Sequence, residues 1–152
     1  MVFGHILTRN AIKFPAKTAI VHEDIRLTFK EFNERVNRLA NALLKKGLNK
    51  GDSIGVLVHN SHQFMEIYFA AAKTGGIFCP YNNHLKQWEM KDIIDYSTPR
   101  FLFVDADFGA MVSALKPDLP FVEQFIAVRP SDVPFMEDYE AFLSKGESDE
   151  PA

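Results

Sequence analysis

The chain has 152 residues, enough to bury a hydrophobic core without disulfide or metal staples. Hydrophobic residues make up 47% and charged residues 24%, as in an ordinary globular domain, and the formal charge of −3 offers no basic face for nucleic acid. The single cysteine, Cys79, excludes an internal disulfide framework; with no apolar run of membrane-spanning length and no signal-peptide layout in "MVFGHILTRN", the expectation is a cytoplasmic protein.

"HILTRNAIKFP" predicts a short helix closed by Pro15. "TAIV" and "IRLT" flank "HED" and predict a small N-terminal hairpin. The next helix carries the strongest start signal. Thr28 and Glu31 form a T-x-x-E capping box, Leu27 and Phe32 stand at staple positions, and Phe29, Phe32, Val36, Leu39, Ala40 and Leu43 share one apolar face. Lys45, Lys46 and Gly47 suit its C-terminal end.

Strands and helices then alternate. "IGVLV" (54–58) reads as a buried parallel strand. Asn60 and Ser61 can cap "HQFMEIYFAAAKT", a helix apolar on nearly every side and expected to be deeply buried. "IFC" is a buried strand stopped by Pro80, "LKQWEMKDIIDYS" a helix, "FLFV" a strand, and "FGAMVSAL" a helix broken by Pro117. "FIAV" is the last expected strand and "MEDYEAFL" the last helix. This order implies an α/β fold: a parallel sheet with helices on both faces, plus the N-terminal hairpin. Residues 1–145 read as one α/β subdomain and 146–152, "GESDEPA", as a polar linker or disordered tail.

Catalytic motifs are sparse. "GLNKGDS" (47–53) lacks the Gly-Lys-Ser/Thr order of a phosphate loop and leads into a strand, so it reads as a turn. His59, His62 and His84 have no matched cysteine or histidine partners for zinc. Cys79 reads as a buried structural thiol. The pairs Glu23 and Asp24, and Asp105 and Asp107, read as solvated turn residues. Ligands in open parallel sheets collect beyond the carboxyl ends of the strands. There the chain places His59, Asn60 and Ser61, then Pro80, Tyr81, Asn82 and Asn83, then Asp105. His59, Asn60, Tyr81 and Asn82 are the candidate wall of a substrate pocket, with Tyr81 expected to present its ring on an exposed apolar edge.

The segment "FPAKTAIVHEDIRLTFKEFNERVNRLANALLKKGLNKGDSIGVLVHNS" resembles the N-terminal region of the AMP-forming acyl-CoA synthetase, or adenylate-forming ligase, superfamily. "LTFKEF" (27–32) is similar to its first core motif, L-T/S-Y-x-E-L, and "KTGGIFCPYN" (73–82) to its second. The likeness runs from 14 to about 128; Phe29, Phe32 and Tyr81 depart from the usual residues without altering the fold it implies. It implies an enzyme that joins a carboxylic or fatty acid to AMP from ATP and passes the acyl group to CoA, using Mg²⁺. The glycine- and Ser/Thr-rich phosphate loop, the adenine- and ribose-binding residues and the catalytic lysine of such ligases fall after a region like 130–150. The chain is therefore expected to be a front piece of a ligase, inactive alone, with no catalytic, cofactor-binding or metal-binding residue. Its expected partners are the remainder of the ligase chain and the acid substrate, with a homodimer left open and no nucleic acid. A binding or dimerisation module, or a piece of another adenylate-forming enzyme such as a peptide-synthetase adenylation domain, is the rival expectation.

Overall fold

The computed structural model describes residues 3–152. Helix α1 (Gly4–Lys13) leads into the antiparallel hairpin β1 (Thr18–His22) and β2 (Ile25–Thr28). Helix α2 (Phe29–Lys45) starts at the expected box: Thr28 Oγ1 accepts from the Glu31 N–H at 3.2 Å, and the Glu31 carboxylate accepts from the Thr28 N–H at 2.8 Å. Those contacts hold the Glu31 carboxyl below its ordinary value, because they favour its charged form.

The rest is a five-stranded parallel sheet, with β3 (Ser53–Leu57), β4 (Ile77–Pro80), β5 (Phe101–Val104), β6 (Gln124–Ala127) and β7 (Met136–Asp138) in the order β4-β3-β5-β6-β7. Helices α3 (His62–Thr74), α4 (Gln87–Ser97), α5 (Gly109–Leu115) and α6 (Tyr139–Leu143) complete it. Strand side chains alternate between faces. Along β5, Phe101 and Phe103 join one core with α1, α2, α3 and α6, while Leu102 and Val104 join the other with α4 and α5. Ile54 and Val56 repeat the first set on β3, with Val58 just past its end, and Leu57 repeats the second. An apolar run on both faces requires helices on both faces, which is the α/β layering the sequence implies.

Three local expectations change. Met136–Asp138, expected to begin the last helix, is instead the fifth strand, and Asp138 caps α6 by accepting from the Ala141 N–H at 2.9 Å. Strand β4 is not buried: it pairs only with β3, and as the sheet edge leaves Ile77 51% exposed and Cys79 half-buried. Helix α3 is half-buried along much of its length, with Glu66, Ile67, Ala70 and Ala71 fully inside.

The tail also departs from the expectation of disorder. Residues 145–150 lie along α2, held by hydrogen bonds from Asn37, Arg38, Asn41 and Lys45. Among the described residues, no helix is long and apolar enough to cross a membrane.

Candidate functional site

The chain runs from β3 to β4 on one side, then returns to lay β5 on the other side of β3. The loops leaving β3 and β5 diverge there, which opens a crevice at the carboxyl edge of the sheet. A cavity of about 390 Å³ occupies it. The β3–α3 loop contributes His59, Asn60 and Ser61; the end of β5 and the turn after it contribute Asp105 and Asp107; Val128 and Arg129 follow β6, and the hairpin turn closes the rim with His22, Glu23 and Ile25. A second groove of about 570 Å³ adjoins it along Phe64, Pro80, Tyr81, Asn82, Asn83 and His84, and His59 and Asn60 line both.

The polar groups of the crevice are bound to one another. Asp105, buried at the end of β5, accepts from Arg129 Nε at 2.6 Å, and Arg129 Nη2 also reaches Asp107 at 2.9 Å. The Asp105 hydrogen bond raises the Arg129 pKa further, so the guanidinium is permanently charged and committed to two carboxylates. His59 Nε2 lies 3.2 Å from Asp107, and its Nδ1 lies 3.0 Å from the Asn83 amide nitrogen. With Asn83 donating through its amide nitrogen, Nδ1 accepts and Nε2 donates to Asp107, so both ring nitrogens have partners within the chain. Ser61 Oγ is spent on capping α3, accepting from the Phe64 N–H at 3.2 Å. His22 and His62 face each other with 3.3 Å between their Nδ1 atoms. Burial, then the charges of Arg35 and His22, lower the His62 pKa, which keeps that ring neutral.

The expected wall residues separate into two groups. His59, Asn60 and Asn82 are exposed on the crevice edge, with Asn82 Oδ1 accepting from the His84 N–H at 3.0 Å. Tyr81 is not an exposed apolar contact. It is 7% exposed, and its hydroxyl pairs with Ser97 Oγ at 2.6 Å beneath the sheet. The reason is Gly55: a methyl group there would meet the Tyr81 Oη and Cε2 at 2.8 and 2.9 Å, so the glycine makes the slot the ring fills. Burial pushes the Tyr81 phenol up to about 12, so it stays protonated as a donor.

The donor set can be tested against the groups the family resemblance implies. Phosphates need free cations or a nest of backbone N–H groups, but the crevice's one arginine is neutralised by two aspartates, and Glu23 adds further negative charge. The same aspartates are satisfied by Arg129, and no group of three or more metal-ligating side chains is assembled among the described residues. The crevice thus offers neither a free arginine for the phosphates of ATP nor an uncommitted aspartate pair for Mg²⁺.

Residues remote from the crevice escaped the sequence reading. Glu66, 0% exposed in α3, accepts from Arg35 Nε and Nη2 at 2.6 and 3.2 Å and from the Tyr139 hydroxyl at 2.7 Å. Arg35 also clamps Glu140 at 2.6 and 3.0 Å, which ties α2, α3 and α6 together. A charged residue inside "FMEIYFAAA" was the available signal, since a fully buried glutamate is rare without a partner.

The profile of the AMP-binding enzyme family matches residues 7–151. The chain belongs to that family. This AMP-binding family member is 30% identical over 145 residues to the probable acyl-activating enzyme 21 of Arabidopsis thaliana, covering 92% of this chain and 27% of that protein. It is 34% identical over 101 residues to the fatty acid–[acyl-carrier-protein] ligase ScoC of Streptomyces coeruleorubidus, covering 66% of this chain and 20% of that one. Among solved structures, the inhibitor-bound N-terminal domain of FACL13 from Mycobacterium tuberculosis superposes with a TM-score of 0.87 at 28% identity, over 98% of this chain and 37% of that chain. This family member thus spans about a quarter of the length of the curated relatives it matches. Its parallel sheet, flanking helices and hairpin are the front of an adenylate-forming ligase fold.

Proposed function

We propose that these residues form the front α/β layer of an ATP-dependent carboxylic acid:CoA ligase, which makes an acyl adenylate and then an acyl-CoA, and that they supply scaffold and pocket wall but no catalytic group. The family match across 7–151, with relatives named as acyl-activating enzymes and ligases, carries this reading. In it, His59, Asn60 and Asn82 face a pocket completed by the rest of the ligase, and Tyr81 supports that wall from below. Binding of ATP, Mg²⁺ and CoA falls to groups outside these residues, and Cys79, unpaired, suits a reducing cytoplasm.

The test has two arms. The full gene product, supplied with ATP, Mg²⁺, CoA and carboxylic acids of graded length, is expected to form a thioester and release pyrophosphate. The purified 152-residue chain is expected to show no ATP–pyrophosphate exchange with the same acids. Exchange above background that a substitution within this chain abolishes would overturn the scaffold assignment; a full product that activates no acid would overturn the ligase assignment. The 34% identity to a ligase that loads an acyl-carrier protein favours one second reading, in which the acceptor is a carrier protein rather than CoA. Whether the acyl group is recovered on CoA or on a carrier separates the two.

A further inference from the structure

Away from the crevice, α1, α2 and α3 meet around the ammonium group of Lys73, whose side chain is 2% exposed. Four acceptors share its three N–H donors: Thr8 Oγ1 at 2.9 Å, Asn33 Oδ1 at 2.8 Å, Asn37 Oδ1 at 2.7 Å and Glu150 Oε2 at 2.6 Å. Three of those four acceptors are neutral. Among the described residues, Glu150 is the one carboxylate in ion-pair contact with Lys73. The carboxylate is saturated in turn: Oε2 accepts from Lys73 and Thr8, and Oε1 accepts from the Asn33 and Asn37 amides at 2.8 and 3.2 Å. Four donors fill the lone-pair sites of two oxygens, and each asparagine is oriented by giving its N–H to Glu150 and its oxygen to Lys73.

The site continues along α2. Asn33, Asn37, Asn41 and Lys45 stand four residues apart, one above the other on a single face. Asn37 donates to the Ser148 carbonyl at 2.9 Å, Asn41 to the Glu147 and Asp149 carbonyls at 2.9 Å, and Lys45 to the Lys145 carbonyl at 2.9 Å and the Glu147 carboxylate at 3.0 Å. At Gly146 the two backbones touch: a methyl group there would lie 2.9 Å from the Ala42 nitrogen and closer still to the Arg38 carbonyl. The ladder holds the tail by its backbone carbonyls and its acids, and it admits only glycine at residue 146.

We propose that Thr8, Asn33, Asn37 and Lys73 form a carboxylate-binding site, and that its ligand is Glu150, which straps the chain's own residues 145–150 to α2. The site stands whatever reaction the family member performs. A buried ammonium left with neutral partners alone is costly, so loss of the Glu150 charge releases the strap or forces Lys73 to give up its proton. Burial lowers the Lys73 pKa, and Glu150 opposes that shift. Burial also works against the Glu150 carboxylate, but hydrogen bonds from Asn33, Lys73 and Asn37 outweigh it and lower its pKa from 4.5 to about 2. A depressed carboxylate contributes stability above its unfolded value and loses it as pH falls through the folded one, so the strap should loosen between about pH 4.5 and 2.

The test uses the 152-residue chain. Carbon-detected NMR of the Glu150 carboxyl should give a midpoint near 2; a midpoint near 4.5 would overturn the proposal. Amide exchange at residues 147–150 should speed at least tenfold in Glu150→Gln and in Lys73→Met. Asn41→Ala should loosen the middle of the strap while leaving the low Glu150 midpoint in place. Equal protection in all variants, or no protection in the unaltered chain, would sink the idea. If the Lys73 and Glu150 variants fail to fold, the carboxyl titration and Asn41→Ala still decide.

Discussion

Glu66 is the buried charge on which three helices converge, and Glu66→Gln tests how much it holds. The substitution keeps the shape, removes the charge opposite Arg35, and puts an amide donor where Arg35 and Tyr139 both need an acceptor. Breaking a buried ion pair by removing one partner costs about 3–5 kcal/mol. Here Arg35 keeps two hydrogen bonds to Glu140 and is 24% exposed, so part of its charge remains compensated by that partner and by water. The expected loss is therefore about 2–3 kcal/mol, which at this chain length lowers the melting temperature by about 5–10 °C. Urea midpoints and thermal melts followed by circular dichroism would measure it. Tyr139→Phe, which removes only the hydroxyl donor, should cost about 1 kcal/mol, and the double variant should fall short of the sum because both act on one carboxylate. A loss below about 1 kcal/mol for Glu66→Gln would show that Glu140 alone satisfies Arg35, and that the helices are joined by apolar packing.

Thr28→Ala should cost about 1 kcal/mol by removing the cap of α2, with Glu31→Ala costing less and the pair less than additive; unchanged denaturant midpoints would mean the box contributes nothing. Gly55→Ala should cost about 1–3 kcal/mol, because its methyl would press on Leu102 and Tyr81, and the same measurement applies. Tyr81→Ser, harmless were the ring exposed, should cost about 3 kcal/mol or more by emptying the slot beneath β3, and a neutral result would place the ring outside the core.

What could be read from the sequence was local. The box at Thr28 and Glu31, the spacing of Val36, Leu39 and Leu43, and the two-faced apolar strands need only neighbouring residues to be recognised, and they imply helices on both faces of a parallel sheet. The "LTFKEF" and "KTGGIFCPYN" stretches carried the family on the same terms. Tertiary structure decided whatever depends on partners far along the chain. "IFC" is apolar enough for a central strand, but strand order puts it at the edge. Met136–Asp138 becomes a strand because β6 offers an open edge, not because of its composition. Tyr81 is buried because Gly55, twenty-six residues earlier, has no side chain. Arg129 is committed because Asp105 and Asp107 end up beside it, and Glu150 is ordered because Lys73, Asn33 and Asn37 wait on helices more than seventy residues away. An acidic, glycine-led tail looks free in one dimension; buried donors that lack an anion, brought together only by folding, give it a place.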